Sequence, residues 1–111
     1  MKITCVVGAR PQFIKLAPFL SKCKKIGHNI RTIHTGQHYD KNMSDVFFDE
    51  LGLEKPNRNL EIGPASQTEQ IAKIMLGLEQ DLEDNEPVWV VVFGDTTSTI
   101  AASIVACKMG I

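Results

Sequence analysis

Apolar residues along the chain form two kinds of run, one typical of buried strands and one typical of amphipathic helices. Ile3–Val7 and Val88–Phe93 are continuous apolar runs rich in β-branched residues, which is the pattern of strands buried on both faces of a parallel sheet. Two more polar segments, Asn29–His34 and Pro56–Ile62, are predicted as further strands. The first of these two is expected nearer an edge of the sheet because it is less apolar.

Helical spacing of apolar residues separates these strands. The stripe is clearest over Thr68–Leu82, and an alanine- and isoleucine-rich helix is predicted over Thr97–Met109. The first helix is expected to be kinked at Pro18, although the sequence alone would allow a break there, and to end at Gly27. A shorter helix is expected to end at Gly52. The alternation of strand and helix predicts an α/β fold, a Rossmann-like parallel sheet with helices on both faces.

Composition and charge narrow the choice of partners. Twelve basic and thirteen acidic side chains leave a formal charge of −1, which gives no electrostatic footprint for nucleic acid or an anionic membrane. Each of the three cysteines lies in an apolar run and is expected to be a small core residue kept reduced. The opening apolar run is too short for a signal peptide, so a cytoplasmic location is expected.

Ligands of open parallel sheets bind beyond the carboxyl ends of the strands, where the strand order reverses. The first and fourth strands are the most apolar and are therefore expected to be the most central, with their loops flanking this crevice. After the first strand, Gly8 would let the backbone approach a ligand, and the start of a helix would offer free amides to an anion. Arg10 and Lys15 add charges suited to phosphate. The alternative is a solvated arginine and a surface lysine on an ordinary helix.

The loop after the fourth strand carries Asp95, and Thr96 with its hydroxyl neighbours follows. These side chains could contact a ligand, or Asp95 could merely cap the next helix.

A third polar loop, His34–Asp40, follows the second strand. His34, His38 and Asp40 could in principle bind a metal, but the loop has no regular spacing to enforce that geometry. Hydrogen bonding within the loop or contact with substrate is the favoured interpretation.

Three motifs then point to one family. Val7–Lys15 resembles the opening of UDP-N-acetylglucosamine 2-epimerases, whose usual form is Gly-Thr-Arg-Pro-Glu-x-Ile-Lys; Ala9 and Gln12 replace the usual Thr and Glu, changes expected to be mild. His34–Phe48 resembles the family's Thr-Gly-Gln-His segment, and Gly94–Thr99 resembles its Gly-Asp-Thr-x-Ser/Thr-Thr segment. The three motifs span almost the whole chain in the right order.

The resemblance implies a fold, a reaction and an assembly. Residues 1–111 would be part of the N-terminal Rossmann-like domain of a two-domain GT-B-like fold, with the C-terminal domain absent from this chain. Non-hydrolysing members interconvert UDP-N-acetylglucosamine and UDP-N-acetylmannosamine by anti elimination of UDP to 2-acetamidoglucal and its re-addition. The resemblance implies no metal or redox cofactor, and a homodimer for the complete protein.

The same resemblance assigns roles to residues. Arg10 and Lys15 would hold the UDP portion, and Asp95 would be an acid–base carboxylate at the sugar. Contacts to the sugar nucleotide would come from four further residues: Gln37, His38, Gln70 and Thr96.

Three alternatives remain open from the sequence. They are a hydrolysing epimerase that releases UDP and free N-acetylmannosamine, a GT-B glycosyltransferase, and a non-catalytic nucleotide-binding module. An exposed apolar edge of the sheet would count against the last, because such an edge favours aggregation.

Overall fold

A computed structural model describes residues 1–36 and 45–111, and for 45–47 only the backbone. Within these residues strand and helix alternate as the sequence predicts. The strands are β1 (Lys2–Val7), β2 (Asn29–His34), β3 (Arg58–Asn59) and β4 (Trp89–Val92), and the helices are α1 (Arg10–Ile26), α2 (Asp45–Leu51), α3 (Gln67–Asn85) and α4 (Thr97–Met109).

All strand pairs in the sheet are parallel, and the strand order is β3-β2-β1-β4. The expected places of two strands are therefore wrong: β2 lies inside the sheet and β4 lies at its edge. The strand order still reverses between β1 and β4, because β2 and β3 extend one way from β1 and β4 lies on its other side. The loops after β1 and β4 thus flank the crevice as expected. They do so because the two strands are neighbours in the sheet and not because both are central.

An ion cluster around one buried carboxylate explains why a polar strand can lie inside the sheet. The carboxylate of Asp81, on α3, is 1% exposed and accepts hydrogen bonds from Arg31 of β2, with Nε to Oδ2 at 3.1 Å and Nη2 to Oδ1 at 2.8 Å. Arg58 Nη1 lies 3.4 Å from the same Oδ1. The backbone amide of Thr32 donates to Asn57 Oδ1 at 2.8 Å. Because these polar groups are paired, their burial is tolerated.

Two apolar clusters cover the two faces of the sheet. Alternate residues of β1 point to opposite faces, so that Cys5 and Val7 pack beneath α1 and α2 while Val6 packs beneath α3 and α4. The first cluster consists of Ile3, Cys5, Val7, Phe13, Leu16, Leu20, Phe48 and Leu53. The second consists of Val6, Ile33, Ile62, Ile74, Leu78, Leu82, Ala101, Ala102 and Val105. This arrangement confirms the Rossmann-like sheet with helices on both faces.

Helix α1 runs continuously through Pro18, so the expected alternative of a break at this residue is wrong. Pro18 is exposed, and buried residues on both sides of it, Phe13 and Leu20, anchor the helix to the sheet. The helix ends where expected, at Gly27, which has a φ of 91°.

The outer side of β4 is exposed rather than buried. Val88 and Trp89 are 58% and 59% exposed, and no strand of the described residues lies beside this edge. Cys107 on α4 is also exposed, which contradicts its expected place in the core, whereas Cys5 and Cys23 are buried. Within the described part of the chain, no helix is both long and apolar enough to span a membrane.

Candidate functional site

Three loops meet where β1, β2 and β4 end, and Gly8 lies between them. Thr35 follows β2, Ser98 lies in the first turn of α4, and their hydroxyl oxygens are 2.9 Å apart in a fully buried pair. A Cβ atom on Gly8 would lie 2.5 Å from the Thr35 Oγ1 and 2.4 Å from the Ser98 Oγ. The three loops can therefore approach this closely only because residue 8 has no side chain.

The side chain of Gln12 joins the β1–α1 loop to the β4–α4 loop. It is 4% exposed. Its Oε1 accepts from the backbone amides of Gly8, at 2.6 Å, and Ala9, at 3.2 Å. Its Nε2 donates to the carbonyl oxygen of Phe93 at 2.5 Å and to the hydroxyl of Thr96 at 2.8 Å. One side chain thus connects segments more than eighty residues apart in sequence.

These contacts also determine which backbone amides of the first loop are occupied. The amides of Gly8 and Ala9 are not free for an anion, because both donate to the Gln12 Oε1. Arg10, the first residue of α1, is exposed at this end of the sheet, and Lys15 is exposed further along the helix. The two residues are five positions apart on the helix and therefore point about 140° apart around its axis. Both long side chains would have to extend towards a ligand that they share.

Asp95 lies in the turn between β4 and α4 and is exposed. The residue that caps α4 is Thr96, so the alternative that Asp95 serves as the helix cap is wrong. Within residues 1–36 and 45–111, no hydrogen bond or ion pair of the Asp95 carboxylate is found. Its neighbours Phe93 and Thr96 are both held by Gln12, and the Thr96 hydroxyl makes that contact instead of capping its own helix. The carboxylate is therefore available, on a backbone that is fixed on both sides.

His34 is a neutral, buried side chain in this arrangement. Burial lowers its pKa to about 4. The backbone amide of Gly36 donates to Nδ1 at 2.8 Å, so the proton of the neutral ring resides on Nε2. The ring packs against Phe13 with centroids 5.0 Å apart. His34 thus shapes the β2 loop and carries no charge at neutral pH.

Of the other predicted contacts, Gln37, His38 and Asp40 lie outside the described residues. No group of three His, Cys, Asp or Glu side chains that could hold a metal ion is found in the described ranges. Gln70 is buried near the start of α3, where its Nε2 donates to the Gly63 carbonyl at 3.3 Å. Its contact with a sugar nucleotide stays a prediction.

Gln12 and Ser98 are site residues that the sequence reasoning underrated or passed over. Both carry a detectable signal, because each polar side chain lies on an apolar helix face. Gln12 precedes the buried Leu16 by four residues, and Ser98 precedes the buried Ala102 by four. Helical residues four apart share a face, so this spacing would have predicted that both side chains point inward.

The site geometry can be compared with known proteins. A family model described as UDP-N-acetylglucosamine 2-epimerase matches residues 21–111. The chain belongs to the UDP-N-acetylglucosamine 2-epimerase family.

The names of the relatives refer to more than one sugar nucleotide. The chain is 47% identical over 111 residues to a UDP-N-acetylglucosamine 2-epimerase homolog of Methanococcus maripaludis, covering 100% of this chain and 31% of that protein. It is 40% identical over 111 residues to the UDP-2,3-diacetamido-2,3-dideoxy-D-glucuronate 2-epimerase of Pseudomonas aeruginosa, covering 98% of this chain and 31% of that protein. The chain thus spans about a third of the length of these curated relatives.

Solved structures of epimerases share the fold. The crystal structure of Methanocaldococcus jannaschii UDP-GlcNAc 2-epimerase in complex with UDP-GlcNAc and UDP superposes with a TM-score of 0.94 at 40% identity, over 100% of this chain and 31% of that one. A Streptomyces glycosyltransferase, 18% identical with a TM-score of 0.59 over 100% of this chain and 37% of that one, shares the fold alone. These similarities confirm the predicted fold, which the chain shares with epimerases and with a glycosyltransferase.

Proposed function

We propose that this chain is part of the N-terminal domain of an enzyme that interconverts UDP-N-acetylglucosamine and UDP-N-acetylmannosamine. The remaining acid–base groups and the uridine pocket would belong to a C-terminal domain outside residues 1–111. The observation that carries the proposal is that the three motif loops meet at the carboxyl ends of β1, β2 and β4. Gly8, Thr35 and Ser98 pack together there, and Gln12 holds the loops of Arg10 and Asp95 side by side.

The reaction needs a leaving group stabilised at one end of the substrate and a proton moved at the other. The C2–H bond breaks as its proton goes to a base, the C1–O bond breaks, and UDP leaves from the opposite face, giving 2-acetamidoglucal. Re-addition of a proton on the other face of C2 and of UDP at C1 gives the epimer. Negative charge develops on the departing phosphate, so Arg10 and Lys15 are assigned to it.

Asp95 is assigned to proton transfer at C2. An exposed carboxylate without a partner in the described residues, fixed at the end of a strand, is suited to this role. Thr96, Gln37, His38 and Gln70 are assigned to substrate contact.

The chain alone is expected to have no epimerase turnover. Proton removal from one face of C2 and delivery to the other require groups on both sides of the sugar, and under this proposal the described residues would supply groups on one side only. A one-sided site also leaves UDP open to water, which weakens charge stabilisation. The exposed edge of β4 likewise counts against a self-sufficient binding module.

A second substrate is favoured by one specific observation. The Pseudomonas aeruginosa relative, 40% identical over almost the whole chain, is named as a 2-epimerase of a diacetamido glucuronate. Both substrates carry UDP at C1 and an acetamido group at C2, so the same loops would serve either. A hydrolysing epimerase would instead release the free sugar and UDP, so the products tell this reaction from epimerisation.

A chimera tests the proposal directly. Residues 1–111 would replace the matching segment of the Methanocaldococcus jannaschii epimerase, which is 40% identical over this length. The purified chimera would be incubated with UDP-N-acetylglucosamine in deuterated water, and the anomeric and C2 protons followed by NMR. We expect UDP-N-acetylmannosamine to form with deuterium at C2; a diacetamido glucuronate substrate would be assayed in parallel.

Asp95→Asn supplies the first variant of this chimera. The loss of the base is expected to lower kcat about 100- to 10,000-fold with little change in thermal stability, because the side chain is exposed. Asp49→Asn, at an exposed position on α2, is the matched control and should retain activity. A folded chimera that binds UDP yet converts neither substrate would contradict the proposed function.

Three further expectations accompany the proposal. The complete enzyme would be a homodimer, would work without a metal or redox cofactor, and would reside in the cytoplasm. Sedimentation of the complete protein, and its activity after treatment with a chelator, would test the first two.

A further inference from the structure

We propose that Gln12 is a positioning residue that fixes the separation between the Arg10 loop and the Asp95 loop. The inference rests on the proposed function, because it gives the two loops their roles at the phosphate end and the sugar end of one substrate. Gln12 itself is buried beneath the loops and is not assigned any contact with substrate.

The first observation is that the Gln12 amide group is used in full. A primary amide offers one oxygen acceptor and two N–H donors. Here the oxygen accepts from two amides of the β1–α1 loop, at 2.6 and 3.2 Å, and the nitrogen donates to two oxygens of the β4–α4 loop, at 2.5 and 2.8 Å. Each end of the amide therefore serves a different loop.

The second observation is that the two ends are not interchangeable. Rotating the amide by half a turn would set its nitrogen against the Gly8 and Ala9 N–H donors and its oxygen against the Phe93 carbonyl. The same conflict arises for an ionised glutamate, which only accepts hydrogen bonds. The Thr96 hydroxyl could reverse and donate to a carboxylate, but the Phe93 carbonyl could not.

The third observation concerns what the bridge holds. Arg10 follows Ala9 directly, and Asp95 lies between Phe93 and Thr96, so all the atoms that Gln12 contacts are within two residues of a proposed functional side chain. Small displacements of catalytic groups cost large factors in rate. The bridge is therefore expected to affect the chemical step more than the binding of substrate.

A role as mere core filling makes a different prediction. A filler contributes volume and apolar contact, so Gln12→Met, similar in length, would leave the loops in place. Gln12→Glu would then change the spectrum of both loops equally or not at all, at every pH. A bridge predicts instead that Gln12→Glu disturbs only the donor half and only when the carboxyl group is ionised.

The experiment compares the ¹⁵N-labelled chain with its Gln12→Glu and Gln12→Met variants at about pH 5 and about pH 8, values chosen to bracket a buried carboxyl group. In Gln12→Glu, the amide signals of Gly94, Asp95 and Thr96 should shift between the two pH values, while the Gly8 amide, which donates to the carboxyl group in either protonation state, should stay protected from hydrogen exchange at both. The parent chain should show no such shift. Gln12→Met should shift both sets of signals at both pH values.

The same variants in the chimera give the kinetic result. We expect Gln12→Met to lower kcat about tenfold or more with a smaller change in KM, and the activity of Gln12→Glu relative to the parent to fall as pH rises. Unmoved Gly94–Thr96 signals in both variants, or equal shifts of both loops at all pH values, would overturn the proposal. An inactive parent chimera combined with the expected NMR shifts would contradict the epimerase function while supporting the bridge between the loops.

Discussion

Replacing Gly8 by alanine should disrupt the point where the three loops meet. The added methyl group would lie 2.4 Å from the Ser98 Oγ and 2.5 Å from the Thr35 Oγ1, both closer than non-bonded carbon and oxygen atoms tolerate. Thr35 and Ser98 are buried and bonded to each other, so neither hydroxyl can turn towards solvent. Relief of the clash requires the loops to separate.

The magnitude follows from two costs. Inserting a methyl group into a packed interior costs about 1–3 kcal/mol. Separating the Thr35 and Ser98 hydroxyls in a buried site adds about 1–3 kcal/mol. The sum, roughly 2–6 kcal/mol, is a large fraction of the stability of an ordinary domain, which is about 5–15 kcal/mol. Gly8→Ala should therefore lower the free energy of unfolding severely or leave the chain partly unfolded.

Urea denaturation followed by far-UV circular dichroism measures this free energy, and Gly63→Ala is the matched control. Nothing lies within 4 Å of a Cβ atom on Gly63, so that change should be neutral or slightly stabilising, by up to about 1 kcal/mol. In a Thr35→Ala, Ser98→Ala background the clashing oxygens are gone, and the added cost of Gly8→Ala should mostly vanish. An equal cost in both backgrounds, or a cost no larger than that of Gly63→Ala, would refute this account of the junction.

Asp81→Asn removes the carboxylate shared by two partly exposed arginines and should lower the free energy of unfolding by about 2 kcal/mol, whereas Glu54→Gln in the exposed pair with Lys24 should leave urea denaturation unchanged. Burial lowers the pKa of His34 from an ordinary 6.5 to about 4, so the unfolded chain binds more protons between these values. The contribution of His34 to the free energy of unfolding is therefore fully present above about pH 6.5 and falls by about 1.4 kcal/mol per pH unit towards about pH 4. His34→Asn should flatten the plot of unfolding free energy against pH in this range. Ellman's reagent should react rapidly with Cys107 in the folded chain and with the two buried cysteines only after unfolding.

Local pattern predicted the elements well because each depends on a few neighbouring residues. The stripe of α3 and the glycine that ends α1 are of this kind. The predicted places of two strands were wrong because the apolarity of a strand indicates how much of it is buried and not how many strands lie beside it. β2 is polar yet central, since Arg31 finds Asp81 fifty residues away. No window of local sequence contains that pair.

The candidate site was predicted at the level of loops and missed at the level of atoms. Arg10 and Asp95 lie on neighbouring loops as expected, but the sequence did not indicate that the amides of Gly8 and Ala9 are occupied by Gln12. The resemblance to the family predicts only a mild effect of Gln12 in place of the usual Glu. Its importance depends on a donor aimed at the Phe93 carbonyl, and that partner is visible only once the chain is folded.

The exposed edge of β4 gives the protein an optical reporter of its own. Trp89 is the single tryptophan of the chain, is 59% exposed, and lies at the start of β4, the opposite end of the strand from the three loops. Its fluorescence should therefore respond little to a nucleotide bound at those loops. A polypeptide that paired with β4 would place cross-strand side chains beside the indole, which should shift its emission to shorter wavelength and reduce its access to aqueous quenchers. One spectrum would thus separate events at the edge of the sheet from events at the site.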